Sequence, residues 1–182
     1  MDGLQTGFRV APQSTEKIQQ IALNTRLALE LPDGRINLPQ FLERLHNFGI
    51  VVDVFDAESA PVDQSIEACW VPEQATLYLR DHVYTDACKG GTRATFTISH
   101  ELGHIVLAHK RTINREHATS IPIFQNSEWQ ANTFASEFSM PITSIQSLRL
   151  TTPQQVANFF GVSLQAAAIR LEKLEKKKYA KK

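Results

Sequence analysis

Cysteine is scarce in this sequence. Cys69 and Cys88 are the only two in 182 residues. That is too few for a disulfide framework, and neither has neighbours at metal-ligand spacing. Long apolar runs are missing as well: no stretch approaches the roughly eighteen residues that a membrane-spanning helix needs. The opening residues, MDGLQTGFRVAPQST, carry no apolar segment behind a basic one, so no secretion signal is expected. Net charge is absent too. Nineteen Lys and Arg balance nineteen Asp and Glu, which provides no bulk attraction for nucleic acid or an anionic membrane. The expectation is a cytoplasmic protein with reduced thiols and no membrane partner. The basic residues that do cluster, in LEKLEKKKYAKK at the C-terminus, read as a solvated helix end whose cations suit the helix dipole.

What is present has the composition of a globular chain. Residues 1–13 read as an extended arm and residues 14–182 as a single domain. Within it, 14–91 hold two helices and a small sheet, 92–140 two long helices, and 141–182 helices only. A helix is expected after Ser14 or Thr15 up to about Leu31, and a second after Asn37 with Pro39 in its first turn. The run IVVDVF (50–55) has strand character. Two further strands, Glu67 to Val71 and Ala75 to Arg80, flank Pro72-Glu73-Gln74. Gly90-Gly91 opens a helix from about Thr92 to His109. Later helices are expected over Ser127–Ser139, Pro153–Phe159 and Leu164 to about Lys177. The order predicts an α+β fold with one small antiparallel sheet and an all-helical C-terminal part.

The informative segment is His100-Glu101-Leu102-Gly103-His104. On a helix, residues i and i+4 share a face one turn apart, so both imidazoles can reach one Zn²⁺. Glu101 then stands beside the metal without ligating it, where its carboxylate can take a proton from water and pass it to a leaving amine. Gly103 leaves room for another element to approach. The helical pattern around it, FTISHELGHIVLAH, places Ile98, Leu102 and Ile105 toward a core. A catalytic zinc needs a third protein ligand. Leu107 and Lys110 occupy the positions where a longer HExxHxxGxxH motif would need Gly and His, so the third ligand is expected from a second helix. Glu128, in the first turn of NSEWQANTFASEF, is the best candidate, and Glu137 is the alternative. Asn132, one turn after Glu128, is placed to hold a ligand histidine by its free N–H. His109 lies five residues past His104 and reads as a helix-end residue facing away.

These residues resemble the ImmA/IrrE family of metallo-endopeptidases. The resemblance rests on FTISHELGHIVLAH, then EWQANTFASEFSMP (128–141), then QQVANFFGVSLQAAAIRLEKL (154–174), in the family's order. It implies a thermolysin-like, gluzincin-type core with the small sheet over the HExxH helix. It implies Zn²⁺ bound by His100, His104 and Glu128, with Glu101 as base. Gln130 stands where many members carry a second glutamate. Members with assigned roles cleave a DNA-binding repressor, often encoded beside them, and others neighbour helix-turn-helix antitoxin-like proteins. The resemblance therefore implies a protein substrate that is a DNA-binding regulator. The strand lining the cleft is expected to pair with an extended substrate, and Ala75–Arg80, with Leu77, Tyr78 and Leu79, is the expected edge. Tyr78, Tyr84, His82 and His117 are the candidate oxyanion donors.

Two other readings remain at this level. QVANFFGVSLQAAAIRL has the outline of a DNA-binding helix-turn-helix. However, Ala166, Ala167 and Ala168 stand where base-reading polar groups would be needed, which argues against direct nucleic-acid binding. The third reading is a catalytically silent protein-binding module, of toxin–antitoxin type, that retains the zinc site.

Overall fold

The computed structural model describes residues 7–56, 66–109 and 121–179, the side chains of 177–179 excepted. Eight α-helices and three strands are present among the described residues. Helix α1 (Thr15–Ala28) starts where Ser14 accepts a hydrogen bond from the N–H of Lys17, and α2 (Leu38–Leu45) where Asn37 does the same for Gln40. These short polar side chains satisfy N–H groups that have no partner inside the helix. The chain then enters β1 (Val51–Phe55), β2 (Ala68–Val71) and β3 (Thr76–Arg80).

The sheet order is β1-β3-β2. β2 and β3 form the expected antiparallel pair around the 3₁₀ turn Pro72–Gln74, but β1 pairs with β3 in parallel. The sheet is therefore mixed, not antiparallel. The order also overturns the expected edge. β3, with Leu77, Tyr78 and Leu79, is bonded on both sides and has no free backbone edge to offer. Leu77 and Leu79 are fully buried, as a central strand over a core requires.

Helix α3 (Asp81–Cys88) was not foreseen. It follows β3 directly, and no side-chain cap marks its start. Helices α4 (Thr92–Val106) and α5 (Ser127–Ser139) come next, then α6 (Ile142–Ser147), α7 (Pro153–Phe160) and α8 (Leu164–Tyr179). Helix α7 opens with a full capping box between Thr152 and Gln155, and Gly161 ends the helix at φ 66°. That left-handed conformation favours glycine.

Buried side chains form two clusters. The larger joins α1, α2, the sheet, α3, α4 and α5 through residues such as Ile18, Phe41, Leu77, Ile98 and Phe138. The smaller, with Met140, Val156, Phe160 and Ala167, holds the last three helices together. Arg170 on α8 spans the two. Its guanidinium meets both oxygens of Glu137 on α5, at 2.7 and 2.5 Å, and donates to the Met140 carbonyl. The described part of the arm lies along the entrance to α5: Val10 N–H donates to the Gln125 carbonyl and Ser127 N–H to that of Phe8. Among the described residues no helix is long and apolar enough to cross a membrane.

Candidate metal centre

Helices α4 and α5 cross where α4 has no side chain. A Cβ on Gly103 would stand 3.1 Å from the Ala131 Cα and 3.2 Å from its carbonyl oxygen. Glycine here is what lets the two backbones come together, and it brings the first turn of α5 over the histidines of α4. His100 Nε2 lies 3.2 Å from one oxygen of Glu128, His104 Nε2 lies 3.5 Å from the other, and the two nitrogens are 3.1 Å apart. In four-coordinate zinc with bonds of about 2.0–2.1 Å, neighbouring ligand atoms stand about 3.4 Å apart. The donor set thus has the spacing and the chemistry, two imidazoles and a carboxylate, that such an ion requires. His100, Glu101 and His104 also form a group able to hold a metal ion by proximity alone, with ligand-type atoms within 4.8 Å of one another.

The electrostatics agree. Burial works against ionised Glu128, yet hydrogen bonds from His100 and His104 outweigh it and hold its carboxyl far below the usual range. Burial likewise works against charged His100, but Glu128 and Glu101 overcome it and raise its pKa. Both shifts mean that the space between these side chains favours positive charge. Glu101 is displaced the other way. Burial dominates and raises its pKa, against the pull of the two histidines. Its Oε2 accepts a hydrogen bond of 2.9 Å from the Trp70 N–H on β2. A buried carboxyl of raised pKa, held at one oxygen, is suited to carrying a proton.

Asn132 lies where the spacing placed it. Its Oδ1 is 3.0 Å from His100 Nδ1, on the side of the ring away from Glu128. Glu137 is taken up by Arg170 and has no part in the centre. His109 is a correction. The helix ends at Val106, three residues earlier than expected, and Ala108 adopts φ 52°. That left-handed turn swings His109 back behind His104 instead of away from it. Its Nδ1 is 3.0 Å from His104 Nδ1, its Nε2 is 3.0 Å from Gln130 Oε1, and only 4% of the residue is exposed. Burial lowers its pKa to about 4. Glycine is the usual signal for such a turn, and an alanine gave none.

The candidate oxyanion donors are not gathered here. Tyr78 alternates with the buried Leu77 and Leu79, so it stands on the other face of the sheet, where its hydroxyl donates to Gln74. His82 is largely exposed beside Glu67 and Asp81. Tyr84 is exposed on α3, where a hydrogen bond with Cys88 raises its pKa. None of these three has a hydrogen bond or ion pair to His100, Glu101, His104 or Glu128. His117 lies outside the described residues. The sequence reading also missed Trp70, which acts through its backbone and so leaves no mark in residue type.

Among the described residues the sheet edge beside Glu101 is β2, the strand that carries Trp70. A groove of about 740 Å³ is lined by Asn132 and Trp129 together with Phe96, Ile169, Arg93 and Lys173.

Comparison with known proteins adds to this geometry. No curated protein matches the chain. Among solved structures it resembles a Mycobacterium tuberculosis transcriptional regulator, with a TM-score of 0.56 at 15% identity. The similarity covers 84% of this chain but only 45% of that one. At that identity it shows a shared fold. A family model described as the IrrE N-terminal-like domain, peptidase M78, matches residues 65–172, a span that includes α4, Glu128 and most of α8. The chain belongs to this IrrE N-terminal-like peptidase family.

Proposed function

We propose that the protein is a zinc-dependent endopeptidase that cuts one regulatory protein, a helix-turn-helix repressor or an antitoxin-like partner. The carrying observation is the convergence of His100 Nε2, His104 Nε2 and Glu128 at tetrahedral spacing. These three side chains would hold the ion, with residues 14–182 acting as one peptidase domain of thermolysin-like type. When bound, Zn²⁺ supplies a Lewis acid that acidifies water and polarises a peptide carbonyl. Glu101 does the proton work. The Trp70 N–H occupies Oε2, which leaves Oε1 to take a proton from the attacking water and deliver it to the leaving amine. Its raised pKa favours both halves of that transfer. An extended substrate chain would lie along the free side of β2, adding a strand to the sheet, with side chains reaching into the groove lined by Trp129 and Phe96.

The regulatory setting draws on the family and on the solved neighbour, itself a transcriptional regulator. Direct DNA reading by α8 is disfavoured. Ala167 is buried, and Arg170 turns inward onto Glu137, where it is unavailable to phosphate or base. The test is incubation with the product of the neighbouring gene, with and without chelator, followed by mass spectrometry. Cleavage at one bond that chelator and Glu101→Gln both abolish is the expected result. Full zinc occupancy without cleavage of that protein would favour the silent binding module instead.

A further inference from the structure

Behind His104 the hydrogen bonds form an ordered chain, and each link restricts the next. It begins at Gln130, a fully buried side chain on α5. One end of its amide lies 2.8 Å from two main-chain carbonyl oxygens, those of Ala11 in the arm and Phe124 before α5. Carbonyls only accept, so this end must be the NH₂ group, with both hydrogens used. The other end is therefore the oxygen, an acceptor. It lies 3.0 Å from His109 Nε2, so that nitrogen must carry a proton.

His109 is buried, and its polar contacts are Gln130 and His104, neither of which is a carboxylate. A cation in that position would lack a counter-charge, so the ring is neutral and holds its one proton on Nε2. Its Nδ1 is then a lone pair, 3.0 Å from His104 Nδ1. That contact requires a proton on His104 Nδ1. With Nδ1 committed to His109, Nε2 is the ring nitrogen of His104 left to meet an ion, and it is the atom that faces Glu128 and His100; without an ion it can carry a second proton toward the Glu128 carboxylate.

We propose that His109 and Gln130 are positioning residues for the metal centre, fixing His104 as the tautomer that presents the Nε2 lone pair to the ion. An unsupported histidine prefers its proton on Nε2, so without the chain His104 would oppose the metal. The two ligand histidines thus reach the same state by different routes. His100 donates through Nδ1 to Asn132 on α5. His104 donates to a second histidine whose state is set two links away by main-chain carbonyls. Because one of those carbonyls belongs to Ala11, the arm contributes to the metal site without touching it. Phe8, also in the arm, makes a T-shaped contact with the His109 ring at 6.4 Å between centroids.

The inference uses His104 as a zinc ligand and so rests on the proposed function, but the chain can be read without metal. Long-range ¹H–¹⁵N spectra of the full-length, metal-free protein near neutral pH report the protonation of each ring nitrogen. The expected pattern is a proton on Nδ1 of His104 and on Nε2 of His109. A His104 Nδ1 without a proton, or a proton on His109 Nδ1, overturns the proposal. The second arm is zinc affinity by competition with a chromophoric chelator. His109→Phe keeps the ring but offers no acceptor, and should weaken zinc binding about 10- to 100-fold. His109→Asn can set its amide oxygen in place of Nδ1 and should restore affinity to near that of the wild type. Wild-type affinity in the Phe variant, or equal weakness in both variants, also overturns the proposal. If His109→Phe does not fold, the wild-type spectrum still decides. Absence of zinc binding by the wild type would instead sink the proposed function and leave the spectrum to judge the chain.

Discussion

Gly103 on α4 and Ala131 on α5 meet backbone to backbone, with 3.1 Å between the Ala131 Cα and the point where a Gly103 Cβ would stand. The same contact has Phe134 Cδ1 at 3.2 Å. Everything that Glu128 does at the centre depends on this approach, because the glutamate rides on the helix that the contact draws in.

Gly103→Ala is therefore expected to push α5 outward by a few tenths of an ångström. Overpacking of this kind costs about 1–3 kcal/mol, while alanine gains about 1 kcal/mol in helix propensity over glycine. The packing cost should win, because the atoms in the way are backbone. Urea denaturation should show a lower midpoint, and zinc affinity should fall in parallel. A raised midpoint would mean that α5 yields freely.

Metal removal should destabilise the protein. An ion that binds only the folded state at about a thousand times its dissociation constant adds about 4 kcal/mol. Thermal unfolding with and without a strong chelator measures this directly. In Glu128→Ala the chelator-induced shift should shrink to near zero, whereas Glu101→Gln should keep it. Equal shifts in the two variants would erase the distinction drawn between these glutamates.

This placement of side chains was legible in the sequence because helical spacing is rigid. The interval from His100 to His104, and that from Glu128 to Asn132, each span one turn, so residue type and number fixed their faces. The capped helix starts at Ser14 and Asn37 were legible for a similar reason: a short polar side chain meets a local need. The failures lie where long-range pairing decides. Nothing local in IVVDVF or ATLYLR tells β3 that it will be central, or tells β1 to run parallel to it. His109 was misread because one left-handed alanine reversed its direction.

Glu137 and Arg170 form a buried, two-pronged ion pair, each about one-twentieth exposed at the side chain. Removing one partner strands a charge in a dry interior, and Arg170→Met should cost about 3–5 kcal/mol. The double variant Arg170→Met, Glu137→Leu should recover much of that loss, since an apolar pair of similar volume replaces the charges. Chemical denaturation of the four proteins in a cycle gives the coupling energy. Because the pair joins α8 to the back of α5, away from His100, His104 and Glu128, zinc stoichiometry should hold in every variant that folds. A strongly destabilised double variant would show that the helices need the charges themselves.

The metal-free protein should lose stability in acid partly through His109. Its pKa is about 4 in the folded protein against an ordinary 6.5, because burial disfavours the charged ring. Above pH 6.5 the ring is neutral in both states, and its contribution is complete. Between pH 6.5 and 4 the unfolded chain takes up the proton and the folded one resists, so stability falls as pH falls. Below pH 4 both states are protonated and this loss stops. At about 1.4 kcal/mol for each pKa unit, the full effect is at most about 3.5 kcal/mol. His100, whose pKa is raised, and Glu128, whose pKa is lowered, titrate in the same protein, so the contribution must be isolated by difference. Unfolding free energies of the wild type and His109→Asn, both metal-free, should differ most near pH 7 and converge toward pH 4. A difference that stays constant across that range would show that burial does not hold His109 neutral.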